Sequence, residues 1–240
     1  MKNKVIFFFT LISNFVIAQQ NFINVPSSEV TIKNKYFFQQ QINFNDLIQS
    51  NTTLDYGLGK GYEIGLNILG VNFDQKRKII FQNNTSDIEP YSPLILLNGL
   101  KQINVSNHFS MTFGSQLGLN FIDNKRNSGA ALCYLNFHIS DLVITNSILV
   151  MGSYFNSVHY GGSGNRFGAW GGIEIPITSY FHINAESILG DNSISYTSLG
   201  IIVYPIKWMP LTIGFQIPNT NKNSYSFVFE LTIIPHVKKE

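Results

Sequence analysis

HFSMTFGSQLGLNF, residues 108–121, decides the fold. Phe109, Met111, Phe113, Leu117, Leu119 and Phe121 fall on one face of an extended chain, and His108, Ser110, Thr112, Gly114, Gln116, Gly118 and Asn120 on the other. A strand of a soluble sandwich alternates in the same way, but its polar face looks at bulk water and usually carries Lys and Glu. Here that face is mostly Gly, Ser, Thr, Asn and Gln, which suits a narrow polar lumen inside a barrel whose outer face meets lipid.

The same split recurs on both sides of this stretch, in residues 62–69, 167–177, 211–217 and 224–233. Twelve strands follow, at 35–44, 51–58, 62–72, 93–104, 108–121, 128–139, 141–155, 166–177, 180–190, 194–204, 209–217 and 224–234. Short links such as Gly59-Lys60-Gly61, Ser140-Asp141 and Thr178-Ser179 alternate with longer ones rich in Asn, Gly, Asp and Lys. Outer-membrane barrels have this asymmetry of tight periplasmic turns and longer external loops, and an even strand number leaves both termini in the periplasm. The expected fold is therefore all-β, an antiparallel transmembrane β-barrel. Tyr36, Tyr62, Tyr154, Tyr160, Tyr180, Tyr204, Trp208 and Tyr225 lie near strand ends and suit interfacial girdles. Alternation breaks at 94–97, 149–151 and 200–203, which is compatible with bulges or with core-facing residues, and the orientation of Lys101 stays open.

Composition agrees. The 240 residues are 44% hydrophobic, 14% aromatic and only 12% charged, which excludes a disordered chain. Residues 1–18 read as a cleaved signal peptide: Lys2 and Lys4 precede an apolar run from Val5 to Ala18 that is shorter than the roughly 20 residues a membrane helix needs. No cysteine follows that run, so lipid attachment there is excluded. Removing the leader takes two lysines from a formal +2 and leaves an electrically balanced chain without the basic footprint of a nucleic-acid binder. Residues 19–34 are expected to be a periplasmic lead-in, and 35–240 the barrel, placed in the bacterial outer membrane with its lipid and the barrel-assembly machinery as partners. Cys133 is the single cysteine, so neither a disulfide framework nor a thiolate zinc cluster is available.

Residues 52–67, TTLDYGLGKGYEIGLN, together with the proline-containing lead from Val25-Pro26-Ser27-Ser28-Glu29 into the first strand, resemble the strand-turn-strand stretch of the outer-membrane family labelled MetA-pathway of phenol degradation. The resemblance covers about 45 residues. It implies an outer-membrane, transporter-like barrel passing small, hydrophobic molecules, and it does not carry a substrate over; the expected partner is a small hydrophobic or polar solute. The C-terminus, Ile234 to Glu240, departs from many barrels in lacking a terminal aromatic residue.

If the apolar faces point outward, Asp55, Glu63, Glu174, Glu186 and Glu230 point inward, with His182 and Asn184 on the strand of Glu186. Such an acidic channel lining would favour cations or neutral polar solutes. The competing reading is that these carboxylates are paired with Arg166, Lys101 or Tyr hydroxyls and fill a closed interior. Lys76, Arg77 and Lys78, in the long loop 73–92, are candidates for a loop constriction, against the plainer reading of a solvated loop. His108, His138, His159, His182 and His236 are dispersed, without the spacing of a metal site, and no cofactor is expected. The segment Tyr160-Gly161-Gly162-Ser163-Gly164 resembles a nucleophile elbow only loosely and sits in a predicted loop. The functional expectation is a passive channel or transporter selecting a small solute by size and charge. The alternatives are a barrel enzyme acting on envelope lipids, and a closed structural or adhesive barrel.

Overall fold

The computed structural model describes residues 22–74, 78–80, 90, 92–120, 129–221 and 223–235. The expected signal peptide, His236, Lys76 and Arg77 lie outside the described residues. The barrel is built from β1 (Tyr36–Phe44), β2 (Ile48–Gly59), β3 (Tyr62–Phe73), β5 (Leu94–Asn104), β6 (Phe109–Asn120), β7 (Gly129–Ser140), β8 (Ile148–Asn156), β9 (Phe167–Thr178), β10 (Phe181–Ile188), β11 (Tyr196–Ile206), β12 (Met209–Pro218) and β13 (Ser226–Ile233). A two-residue strand, β4 (Ile79–Ile80), extends β3, and a one-turn helix, α1 (Val158–Gly161), caps β8. Each of the twelve barrel strands pairs antiparallel with the next, β5 with β3 past the short β4, and β1 closes the barrel on β13 in the register Phe38↔Ile233 to Phe44↔Phe227. Closure leaves no edge, the condition for a sheet to stand in hydrocarbon.

All twelve expected strands are present. The largest boundary difference is at β8, expected from 141 but starting at Ile148. Residues 141–147 form a turn instead: Ser147 Oγ accepts from the Val143 and Ile144 amides at 3.0 and 3.2 Å, and the Asp141 amide donates to the Ser147 carbonyl at 2.8 Å. The β-branched Val143 and Ile144 imitate a strand, but local hydrogen bonds to Ser147 satisfy the backbone first. Leu142, Val143 and Ile144 are left exposed at the end of the barrel that carries the short turns.

Outward positions carry Ile64, Leu97, Phe113, Met151, Ile183, Ile201, Ile213 and Phe229, all exposed. The apparent breaks in alternation are no breaks in geometry. Along Leu94 to Leu97 burial alternates strictly, with Leu94 and Leu96 turned in and Leu97 70% exposed. Ile148, Val150 and Ile202 are likewise buried inward residues that happen to be apolar. The barrel therefore has an apolar patch on its inner wall. Lys101 turns outward: its Nζ lies 3.9 Å from the centre of the Tyr62 ring and donates to the Lys60 carbonyl at 2.5 Å, with the stem along the apolar face and the charge at the turn.

Of the expected girdle, Tyr36, Tyr62, Tyr180 and Tyr225 are exposed. Tyr154, Tyr160 and Tyr204 are not part of it. Tyr154 and Tyr204 are buried inside, and Tyr160, in α1, packs on the inner cluster. Inward glycines make room for such rings: a Cβ at Gly114 would overlap Tyr134, and one at Gly168 would overlap Tyr154. Replacing Ile201, near the middle of β11 on the lipid face, by Arg is expected to cost about 2–4 kcal/mol of folding stability in vesicles. A lowered urea midpoint for Ile201→Arg against the unchanged chain checks it.

Candidate functional site: the occupied lumen

The interior is not empty. Residues 22–34, expected as a lead-in outside the barrel, run through the lumen. Phe22, Ile23 and Val25 are almost fully buried. Phe22 and Val25 pack with Leu132, Ile148, Val150, Tyr154, Trp170 and Ile188, the apolar patch of the inner wall. The Tyr154 and Trp170 rings stack at 5.0 Å, and Trp170 Nε1 donates to Asn136 Oδ1 at 2.6 Å. Gly172 lets the segment approach, since a Cβ there would meet the Phe22 ring at 2.9 Å.

The segment adds no strand to the sheet, so its backbone polar groups need other partners. Glu186 supplies the first set: its carboxylate accepts from the Ile23, Asn24 and Val25 amides at 3.1, 2.9 and 2.9 Å, and from Asn24 Nδ2 at 2.8 Å. Convergent N–H groups of this kind form a nest for an anion, and bonds to a charged acceptor are the strong ones. Asn136 Nδ2 donates to the Pro26 carbonyl at 2.9 Å, and Thr112 Oγ1 to the Ser28 carbonyl at 3.1 Å. Glu63 accepts from the Thr31 amide at 2.6 Å. At the short-turn end, the Asn34 amide donates to the Gly57 carbonyl and the Gly57 amide to the Lys35 carbonyl, at 2.8 and 3.1 Å. Gly57 is required there, because a Cβ would overlap the carbonyl oxygens of Thr31 and Ile32. The stretch 52–67 is thus the dock of the N-terminal segment: Gly57 passes it, Glu63 holds it, and Gly59 and Gly61, both at positive φ, turn the chain between β2 and β3.

The interior carboxylates fall into three uses. Glu186 and Glu63 hold the segment. Glu174 accepts from His182 Nδ1 at 2.5 Å and from the Tyr204 hydroxyl at 3.4 Å, while Glu230, fully buried, is bonded by Thr212, Thr232 and Gln39. Asp55 accepts from Asn98 Nδ2 at 2.6 Å and shares with Glu63 the wall of a cavity of about 440 Å³. Of the residues expected to line a channel, Asp55 and Glu63 therefore line open space. Glu174, His182, Glu186 and Glu230 are engaged with the segment or with neighbouring strands. Neither Arg166 nor Lys101 pairs with a carboxylate: Arg166 is exposed and Lys101 faces out. Among the described residues no Lys or Arg is buried inside. Lys78 is exposed at the tip of the β3–β4 extension, its amide bonded to Asp74, and lines neither cavity.

The 440 Å³ cavity opens toward the long loops and is walled by amides such as Gln39, Gln41, Asn43, Gln49 and Asn51, with Tyr134, Tyr160 and Trp170 on the far side. Its floor is the segment itself, through Ile23, Asn24, Pro26, Ser28 and Glu29. A second cavity, about 880 Å³, lies at the short-turn end and is lined by Gln102, Ser110, His138 and Ser147 on the barrel and by Glu29 and Val30 on the segment. Glu29 therefore borders both. Ser110 Oγ lies 3.4 Å from His138 Nδ1, but both face the lumen, where a bilayer lipid does not reach. His108 sits at the surface against Asp141 at 3.0 Å. The described His, Cys, Asp and Glu residues include no group of three that could hold a metal ion.

No family model matches the chain, and no curated protein does. Solved structures match its shape. The KdgM porin in complex with disordered oligogalacturonate superposes with a TM-score of 0.59 at 10% identity, over 83% of this chain and 99% of that one. The KdgM porin alone gives 0.57 at 8%, over 83% and 99%. A NanC porin gives 0.55 at 8%, over 85% and 100%. The shared feature is the twelve-stranded antiparallel barrel.

Gly57→Ala is expected to dislodge the segment from its dock at a cost of about 1–3 kcal/mol, as overpacking does. Faster proteolytic clipping within residues 22–34 of the folded barrel, with the strands still protected, would show it.

Proposed function

We propose that the protein is an outer-membrane channel for a small neutral or cationic polar solute, with the short-turn end and both termini in the periplasm. The observation that carries this reading is the closed barrel with an apolar exterior and an amide-lined inner cavity whose charged wall residues, Asp55, Glu63 and Glu29, are all acidic. The porin shape of the neighbours supports the channel role. The oligogalacturonate bound by one of them is a polyanion, which an interior without a buried Lys or Arg would repel. Transport is passive and selects by size and charge. The resemblance of residues 52–67 to the MetA-pathway family accords with a transporter-like barrel. A closed structural barrel is the second reading, favoured by the segment that occupies the lumen.

Single-channel recording in a planar bilayer under a salt gradient tests the proposal. Discrete steps with a cation-preferring reversal potential are expected. Asp55→Asn should lower the cation preference roughly fivefold, the weight of about 1 kcal/mol for one nearby charge. A correctly folded barrel with anion preference would overturn the selectivity.

A further inference from the structure

We propose that residues 22–31 are a gate, a docked plug that closes the lumen between its two cavities and leaves its seat to join them; this rests on the channel reading. Four observations place it. The segment is the floor of one cavity and the roof of the other, with Glu29 on both surfaces, so any solute crossing the barrel meets it.

Among the described residues, backbone pairing of the plug with a barrel strand is recorded at one end only. Near the short turns the Lys33–Gly57 bridge and the Asn34 and Gly57 amide bonds tie the chain to β2, directly before β1 begins. Farther in, apart from a single bridge at Pro26, it forms no ladder among the described residues. The inner end is held by side chains, chiefly the Glu186 carboxylate, Asn136 and Thr112, and by the apolar seat under Phe22 and Val25. It can swing from the tie without breaking a strand pairing, so the barrel wall is the same in both states.

The seat is built for an occupant. Leu132, Ile148, Val150 and Ile188 would serve no purpose on the wall of a permanently open aqueous pore, and Gly172 leaves the space that the Phe22 ring fills. The docked state also carries a cost. Beside Ile23 the side chain of Asn184 is 1% exposed, and both its amide oxygen and its amide nitrogen are buried without a hydrogen-bond partner. Withdrawal of Ile23 would open that amide to the lumen and relieve it. An arrangement with good contacts at Glu186 and an unmet amide at Asn184 is balanced between two states rather than locked in one.

A reversible cross-link tests the gate on the full chain. Ser28→Cys with Thr112→Cys, positions brought together by the bond from the Thr112 hydroxyl to the Ser28 backbone carbonyl, is made in a Cys133→Ala background, since Cys133 faces outward on β7, and loss of both free thiols verifies the cross-link. Oxidised protein in a planar bilayer should be silent, and reductant should restore intermittent openings. A second variant, lacking residues 22–31 behind the leader, should conduct continuously, with mean current raised roughly tenfold or more as a closed-to-open bias of one decade is removed. If the oxidised lock conducts as well as the reduced form, the gate is overturned and the channel reading stands. If the truncated barrel assembles, judged by its heat-modifiable migration, yet passes no current, the channel reading falls and the gate with it.

Discussion

Backbone polarity is the constraint on which this structure depends. In hydrocarbon an unpaired amide or carbonyl costs several kcal/mol, and a sheet avoids this only by closing on itself. The β1–β13 seam supplies that closure, and it turns every second side chain into a confined interior. Twelve strands enclose more space than their inward side chains fill. The N-terminal segment occupies part of the remainder, and its own backbone then meets the same requirement one layer further in. Glu186, Asn136, Thr112 and Glu63 are the answer: side chains on the wall take the place of a neighbouring strand.

This nesting explains the interior charge. Isolated carboxylates inside a barrel are costly unless hydrogen-bonded. Glu186 is stabilised by backbone amides of the segment, and the segment is held by Glu186, so neither arrangement is complete without the other. Glu174 with His182 and Tyr204, and Glu230 with its two threonines, are settled within the wall. Asp55 and Glu63 retain contact with open space, as does Glu29 on the segment.

The barrel was legible because alternation is a local property. Phe109 to Leu119 show it without knowledge of any other strand, and the inward direction of Asp55, Glu63, Glu174, Glu186 and Glu230 follows from the same parity. The plug was not legible, because nothing in residues 22–34 alternates and the partners of its inner end, Asn136 and Glu186, lie more than a hundred residues away. A trace of it was present. Leu94, Leu96, Ile148, Val150 and Ile202 are apolar where a water-filled lumen calls for polar residues, and an inner wall that turns apolar over part of its circumference implies something apolar inside. Lys101 follows the same parity once Leu94 and Leu96 are known to turn inward: it falls on the outward side of β5, where the Tyr62 ring and the Lys60 carbonyl receive its charge.

The exposed turn Leu142 to Ile144 bears on how the barrel sits in its bilayer. It carries apolar surface beyond the ends of β7 and β8, as exposed Val105 does in the adjoining β5–β6 turn, while the β2–β3 and β11–β12 turns, farther around the barrel, carry Lys60 and Lys207. The greasy band is therefore taller on one flank than around the rest of the circumference. A bilayer of uniform thickness matches such a band best when the cylinder leans toward that flank or the leaflet thickens beside it. The axis of the lumen is then inclined to the membrane normal, and the mouth at the short-turn end faces sideways along the surface.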